Sequence, residues 1–94
     1  MRSYELVYII SPEVADEDVE AVVDRVNKFI TGRGGEVTKV QPWGRKKLAY
    51  PINRFREGNY VLTEFKSEPN AANDLEASLR LSEEVLRHLV IRKD

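Results

Sequence analysis

The sequence predicts an α+β sandwich, one four-stranded antiparallel sheet with two helices on a single face. Three observations lead there. Period-2 and helical hydrophobic patterns follow one another in the order β-α-β-β-α-β. The first predicted strand is apolar on both faces, as a central strand should be. The second contains Pro42 and Pro51, which have no backbone N–H to give to a ladder, so it belongs at a sheet edge or in a bulge. The usual compact form of this element order is the ferredoxin-like sandwich. Its spatial strand order 4-1-3-2 puts strand one inside and strand two at an edge.

Tyr4 to Ile10 forms the first strand, with Tyr4, Leu6, Tyr8 and Ile10 on one face and Glu5, Val7 and Ile9 on the other. Ser11-Pro12 ends it. Asp16 is placed to cap a helix whose apolar stripe is Val19, Val22, Val23, Val26 and Ile30. Gly32, Gly34 and Gly35 stop that helix. They follow a helix and do not precede one, so they lack the positive helix end that makes a glycine loop a phosphate cradle.

Glu36 to Val40 begins the second strand, with a bulge expected at Pro42-Trp43-Gly44. Arg54 to Gly58 reads as a turn and Asn59 to Lys66 as the third strand, making a hairpin. After Ser67-Glu68-Pro69, Asn70 is placed to cap a helix carrying Ala72, Leu75, Leu79 and Ser82 on one face. Val85 to Arg92 is the last strand. One sheet face then has no helix, and Val7, Ile9, Leu62, Leu89 and Ile91 are expected to lie bare there unless something covers them.

Ninety-four residues suit one domain over 1–94, and 41% apolar with 33% charged residues is the balance of an ordinary globular chain. The absence of cysteine excludes disulfides, thiolate nucleophiles and thiolate metal sites, and fits a reducing cytoplasm. His88, the sole histidine, cannot build a histidine metal site alone. No apolar run reaches membrane-spanning length, and the N-terminus lacks a signal-peptide pattern. No phosphate loop, dinucleotide fingerprint or zinc motif occurs, so no cofactor is expected.

Net charge is −1, but the charges are segregated. Glu13 to Asp24 holds six acids and no base, which the positive start of a helix accounts for. Lys39 to Arg56 holds six bases (Lys39, Arg45, Lys46, Lys47, Arg54, Arg56) and no acid, interleaved with Trp43, Leu48, Tyr50 and Ile52. Such a segment suits a polyanion or a partner protein. Arg45, Lys46, Lys47, Arg54 and Arg56 are phosphate-contact candidates, joined by Arg2, Arg87, Arg92 and Lys93 from the first and fourth strands. Together with apolar groups they are expected along one rim. Each alone is more often a solvated charge, and edge lysines also block unwanted strand pairing. Trp43, Leu48, Tyr50 and Ile52, with Tyr60 and Leu62 on strand three, are partner-contact candidates, though packing accounts for Trp43 and Tyr50 equally well.

Catalysis finds no support. His88 has no nucleophile beside it in the pattern, and its readings are a half-buried strand residue or a group facing RNA. The third strand lacks the Lys/Arg-Gly-aromatic pattern with which an RNA-recognition motif stacks bases. Three classes stay open: a structural RNA-binding protein, a small-molecule regulatory domain, and a protein-interaction module using its edge strand.

Met1-Arg2-Ser3-Tyr4-Glu5 and the block Trp43-Gly44-Arg45-Lys46-Lys47-Leu48-Ala49-Tyr50-Pro51-Ile52-Asn53 resemble the bacterial small-subunit ribosomal protein S-six family. The block matches a family pattern of roughly Gly-x-Arg/Lys-x-Leu-Ala-Tyr-Pro-Ile, and the likeness extends over the whole chain. Lys47 stands where many members carry a different residue. The resemblance implies a ferredoxin-like fold, no enzymatic activity, and binding to the central domain of 16S ribosomal RNA as a heterodimer with ribosomal protein S-eighteen. It also implies Arg2, Tyr4, Arg87, Arg92 and Lys93 as RNA-side residues, and the second-strand block as a place for partner docking and further RNA contact.

Overall fold

Two strands flank the first. In the computed structural model, which describes residues 1–94, β1 (Arg2–Ile10) lies between β3 (Phe55–Ser67) and β4 (Val85–Arg92), and β2 (Glu36–Ile52) forms the edge beyond β3. The order β2-β3-β1-β4 is the expected 4-1-3-2 read from the other side, and every pairing is antiparallel. Helices α1 (Asp16–Gly32) and α2 (Pro69–Leu81) cover one face.

Alternation decides which residues meet the helices. Tyr4, Leu6, Tyr8 and Ile10 from β1 and Val61 and Phe65 from β3 bury against Val22, Val23, Val26 and Ile30 of α1 and Ala72, Leu75 and Leu79 of α2, with Val85 from β4. Leu6, Tyr8 and Ile10 are fully sealed from solvent. Burial of this kind contributes about 1.5–3 kcal/mol for each large apolar side chain. It also pushes the Tyr8 hydroxyl pKa upward.

Helix α1 begins one residue earlier than its capping pattern indicates. Ala15 is the flanking residue and no side chain caps the helix, so Asp16, Glu17 and Asp18 all lie in the first turn and act through the helix dipole. In α2 the expected cap at Asn70 is likewise corrected. Pro69 takes the first helical position, where a missing N–H costs nothing, and Glu68 precedes it.

The hairpin turn also differs from expectation. β2 and β3 are far longer than predicted and meet at Asn53-Arg54, which both have positive φ (48° and 65°). A two-residue turn of this sense matches the twist of the flanking strands. Asn suits it, whereas Arg gives no local signal of it, and Phe55 to Gly58 is strand as a result. The predicted bulge is present: register shifts between Pro42 and Gly44, and Gly44 has φ +81°.

Candidate functional site

The sheet face without helices has two unlike halves. Residues paired directly opposite one another in antiparallel strands share a face, which places Glu5, Val7 and Ile9 of β1, Tyr60, Leu62 and Glu64 of β3, and Arg87, Leu89 and Ile91 of β4 on this side. Toward the chain termini it is ionic. Lys93 Nζ bonds Glu64 at 2.5 Å and lies 3.8 Å from Glu5, and Lys39 is 3.8 Å from Glu64. The Lys93 hydrogen bond is the main reason the Glu64 carboxyl is held below its ordinary range and the ammonium above its own. The last residue is tied in as well: the Ser3 backbone N–H donates to Asp94 Oδ2 at 3.1 Å, the chief cause of that carboxyl's lowered pKa.

Toward the hairpin the face is apolar. Leu89 is 57% exposed and Trp43 stacks on Tyr60 with ring centroids 6.5 Å apart, while Ile91, 45% exposed, lies opposite Glu5 at the border of the ionic half. Ile9 and Leu62 lie on this face yet are nearly covered, so the expected bare patch is reduced to Leu89, Ile91 and the rim of Val7. Ile9 is sheltered by the hairpin end. Beyond Lys47 the β2–β3 ladder loosens until Ile52 meets Phe55, and this arm bends across the sheet. Leu48, Ala49, Tyr50 and Ile52 come over Ile9, Tyr60 and Arg87 to enclose a cleft of about 190 Å³. Arg87 closes it by hydrogen bonding the Tyr50 hydroxyl, its guanidinium 5.4 Å from that ring's centroid.

The expectation that the cations share one rim is corrected. Arg45 pairs opposite Asn59 and Lys46 opposite Gly58, so these neighbours face opposite sides of the sheet. Arg45 lies on the helix side, 2.9 Å from Glu57 and 3.5 Å from Asp16. Arg87 sits beside the cleft on the open side. Arg92, on the helix side of the same strand, is five residues away, about 17 Å at roughly 3.4 Å per residue. Arg92 pairs with Asp94 at 3.4 Å. The cations thus divide into a group at the termini (Arg2, Arg92, Lys93) and a group on the arm (Lys46, Lys47, Arg54, Arg56, with Arg87 facing it). Acids partner Arg45, Arg92 and Lys93, whereas Arg2, Lys46, Lys47, Arg54, Arg56 and Arg87 form no ion pair.

Two other candidates are placed where sequence reasoning did not put them. Tyr4 is only 8% exposed and stacks on Phe65 at 5.3 Å, so its ring belongs to the core and does not reach a surface ligand. His88 pairs opposite Tyr8 on the helix side of edge strand β4 and is half-buried, away from the open face. No group of three or more His, Asp or Glu side chains is arranged to hold a metal, and no helix is long and apolar enough to cross a membrane. The alternation of β1 and β4 already carried the signal for both residues.

Comparison with known proteins decides the lineage. Residues 3–92 match the family described as Ribosomal protein S6. The small ribosomal subunit protein bS6 of Moorella thermoacetica is 46% identical over 92 residues, spanning 98% of this chain and 94% of that protein. The bS6 of Desulforamulus reducens is 43% identical over 93 residues, 99% of this chain and 98% of its own. The chain belongs to the ribosomal protein S6 family. The crystal structure of 30S ribosomal protein S6 from Thermotoga maritima superposes with a TM-score of 0.93 at 36% identity, covering 98% of this chain and 87% of the other. S6 proteins are structural and not enzymatic, in agreement with the absence of any base–nucleophile pair in the sequence. The S6 fold is the ferredoxin-like sandwich described above.

Proposed function

We propose that this S6 chain is a structural constituent of the small ribosomal subunit, working in the cytoplasm, and that it binds the central domain of 16S ribosomal RNA as a heterodimer with ribosomal protein S-eighteen. Family membership supports the first part. The observation that carries the second is the coexistence on one arm of an apolar cleft and unpaired cations. Leu48, Tyr50, Ile52, Tyr60 and Trp43 supply an aromatic and aliphatic docking surface of the kind protein interfaces use. Lys46, Lys47, Arg54 and Arg56 form no ion pair, although Lys47 lies opposite Glu57 in the ladder, and are available to phosphates. Arg2, at the termini, supplies a second point of RNA contact.

The pairing of Arg45, Arg92 and Lys93 with carboxylates favours a division of labour. With three of the nine candidate cations already neutralised and a net charge of −1, the chain alone is a weak polyanion binder, and the partner supplies the remaining positive surface. The same pairing favours a second reading, a protein-interaction module whose RNA contact is incidental. Footprinting of 16S ribosomal RNA with this chain, with S-eighteen, and with both distinguishes them. Central-domain protection that requires both proteins supports the proposal. Heterodimer formation without any RNA protection supports the second reading, and neither event removes both.

A further inference from the structure

The basic block contains one residue whose surroundings set it apart. Arg45 reaches two carboxylates on two different elements, Glu57 of β3 through Nη1 and Asp16 in the first turn of α1 through Nη2. It sits one residue past Gly44, whose φ of +81° marks the bulge, and two residues before the ladder loosens. Everything beyond it on the arm lacks a core. Lys46, Lys47, Ala49, Tyr50 and Pro51 are exposed, and Leu48 and Ile52 are only half-buried. On the open side the arm is held by Tyr50 against Arg87. On the helix side it is held by Arg45.

We infer that Arg45 is a positioning residue, not a phosphate contact: it braces the β2–β3 arm against the start of α1 and so sets the cleft that the partner enters. The inference deepens the proposal above and rests on it for the partner's identity. A segment with few buried contacts opens locally at low cost, so exposed ion pairs that add little to global stability weigh heavily on its closed population. The arginine fork suits this task because it can hold two carboxylates at once, which an ammonium does less well. The six acids between Glu13 and Asp24 then have a use beyond the helix dipole, since one of them anchors the arm from the far layer.

The two roles predict opposite signs for one variant. Removing the acids in D16N/E57Q frees Arg45. If Arg45 contacted phosphate, RNA affinity of the heterodimer would rise. As a brace, it leaves the arm loose, and affinity for S-eighteen falls. The test measures amide hydrogen exchange over residues 46–56 in the free chain, emission of Trp43 (the sole tryptophan), and heterodimer and RNA affinity at fixed salt. Expected results are exchange about two- to fivefold faster in D16N/E57Q and in R45Q alike, with heterodimer affinity lowered by a similar factor, and recovery in the triple charge swap D16R/R45E/E57R, which restores both pairs with the signs exchanged. Unchanged exchange together with tighter RNA binding in D16N/E57Q overturns the inference. Should no heterodimer form with the unaltered chain, the proposed function fails, while the exchange measurement still judges the brace.

Discussion

Tyr50 and Arg87 come from opposite edges of the sheet, β2 and β4, yet the Arg87 guanidinium hydrogen bonds the Tyr50 hydroxyl and lies 5.4 Å from its ring centroid. Neighbouring strands are spaced about 4.8 Å apart, so two edge strands of a four-stranded sheet do not touch by pleating alone. Contact requires the arm to fold back over β3 and β1, and that fold creates the cleft above Ile9. A double-mutant cycle of Tyr50→Ala and Arg87→Ala, followed by urea unfolding, is expected to give a coupling of about 0.5–1 kcal/mol, the size of an exposed cation–π pair. Additive effects would mean that the arm is held elsewhere.

The bare end of the open face should matter to the partner more than to the fold. Leu89→Asp places a charge where the side chain is 57% exposed. Thermal unfolding should change by no more than about 0.5 kcal/mol, while affinity for S-eighteen falls by roughly tenfold, the cost of losing about 1.4 kcal/mol from an apolar contact. Equilibrium binding of the purified pair checks it, with a Leu81→Asp variant as control, since Leu81 is exposed at the end of α2 away from the sheet.

Beneath the arm, the sheet tolerates no added atom at Gly58. A Cβ there would lie 2.5 Å from Ile9 Cγ2 and 2.9 Å from the Ile10 carbonyl oxygen. Gly58→Ala is therefore expected to cost about 1–3 kcal/mol by overpacking, against about 2–5 kcal/mol for Leu6→Ala at the sealed centre. Urea denaturation reads both. A Gly58→Ala variant as stable as the parent would show that Ile9 moves aside freely, and with it the cleft floor.

Ionic anchoring of the chain end makes stability depend on acid. The Glu64 and Asp94 carboxyls are both held below their ordinary values, by Lys93 and by the Ser3 N–H respectively. A depressed folded-state pKa contributes stability that is fully present above the unfolded value, near 4.5 for Glu and 3.8 for Asp, and is lost as pH falls through the folded one. Unfolding monitored from pH 6 to pH 3 should show the loss in the acid part of that range, and Glu64→Gln should flatten it. The raised Lys93 has the opposite sense: its contribution holds below the unfolded lysine pKa and fades only as pH rises through the folded value.

Much of this architecture could be read from residue order. The alternation of Tyr4-Leu6-Tyr8-Ile10, the prolines of β2 and the span of β4 each follow from local chemistry, and strand order followed from them. The turn at Asn53-Arg54 escaped because an arginine at positive φ has no local signature. The site was less legible for a different reason. Arg45 and Lys46 are adjacent in the chain and look like one patch, although strand alternation sends them to opposite faces. Glu57, 12 residues from Arg45, meets it across the hairpin, but Asp16 lies 29 residues from Arg45 and Glu64 29 from Lys93, pairings that only the fold creates. The same holds for Tyr50 and Arg87, 37 residues apart.

The salt dependence of RNA binding tests the account most directly. For the heterodimer on a central-domain RNA fragment, the log affinity should fall linearly with log salt, and K46Q, K47Q and R56Q, where each meets a phosphate, should each reduce the slope by about 0.7–0.9, while R45Q leaves the slope unchanged and lowers only the partner's affinity. A slope that R45Q reduces as much as the lysine variants do, or binding indifferent to salt, would contradict it.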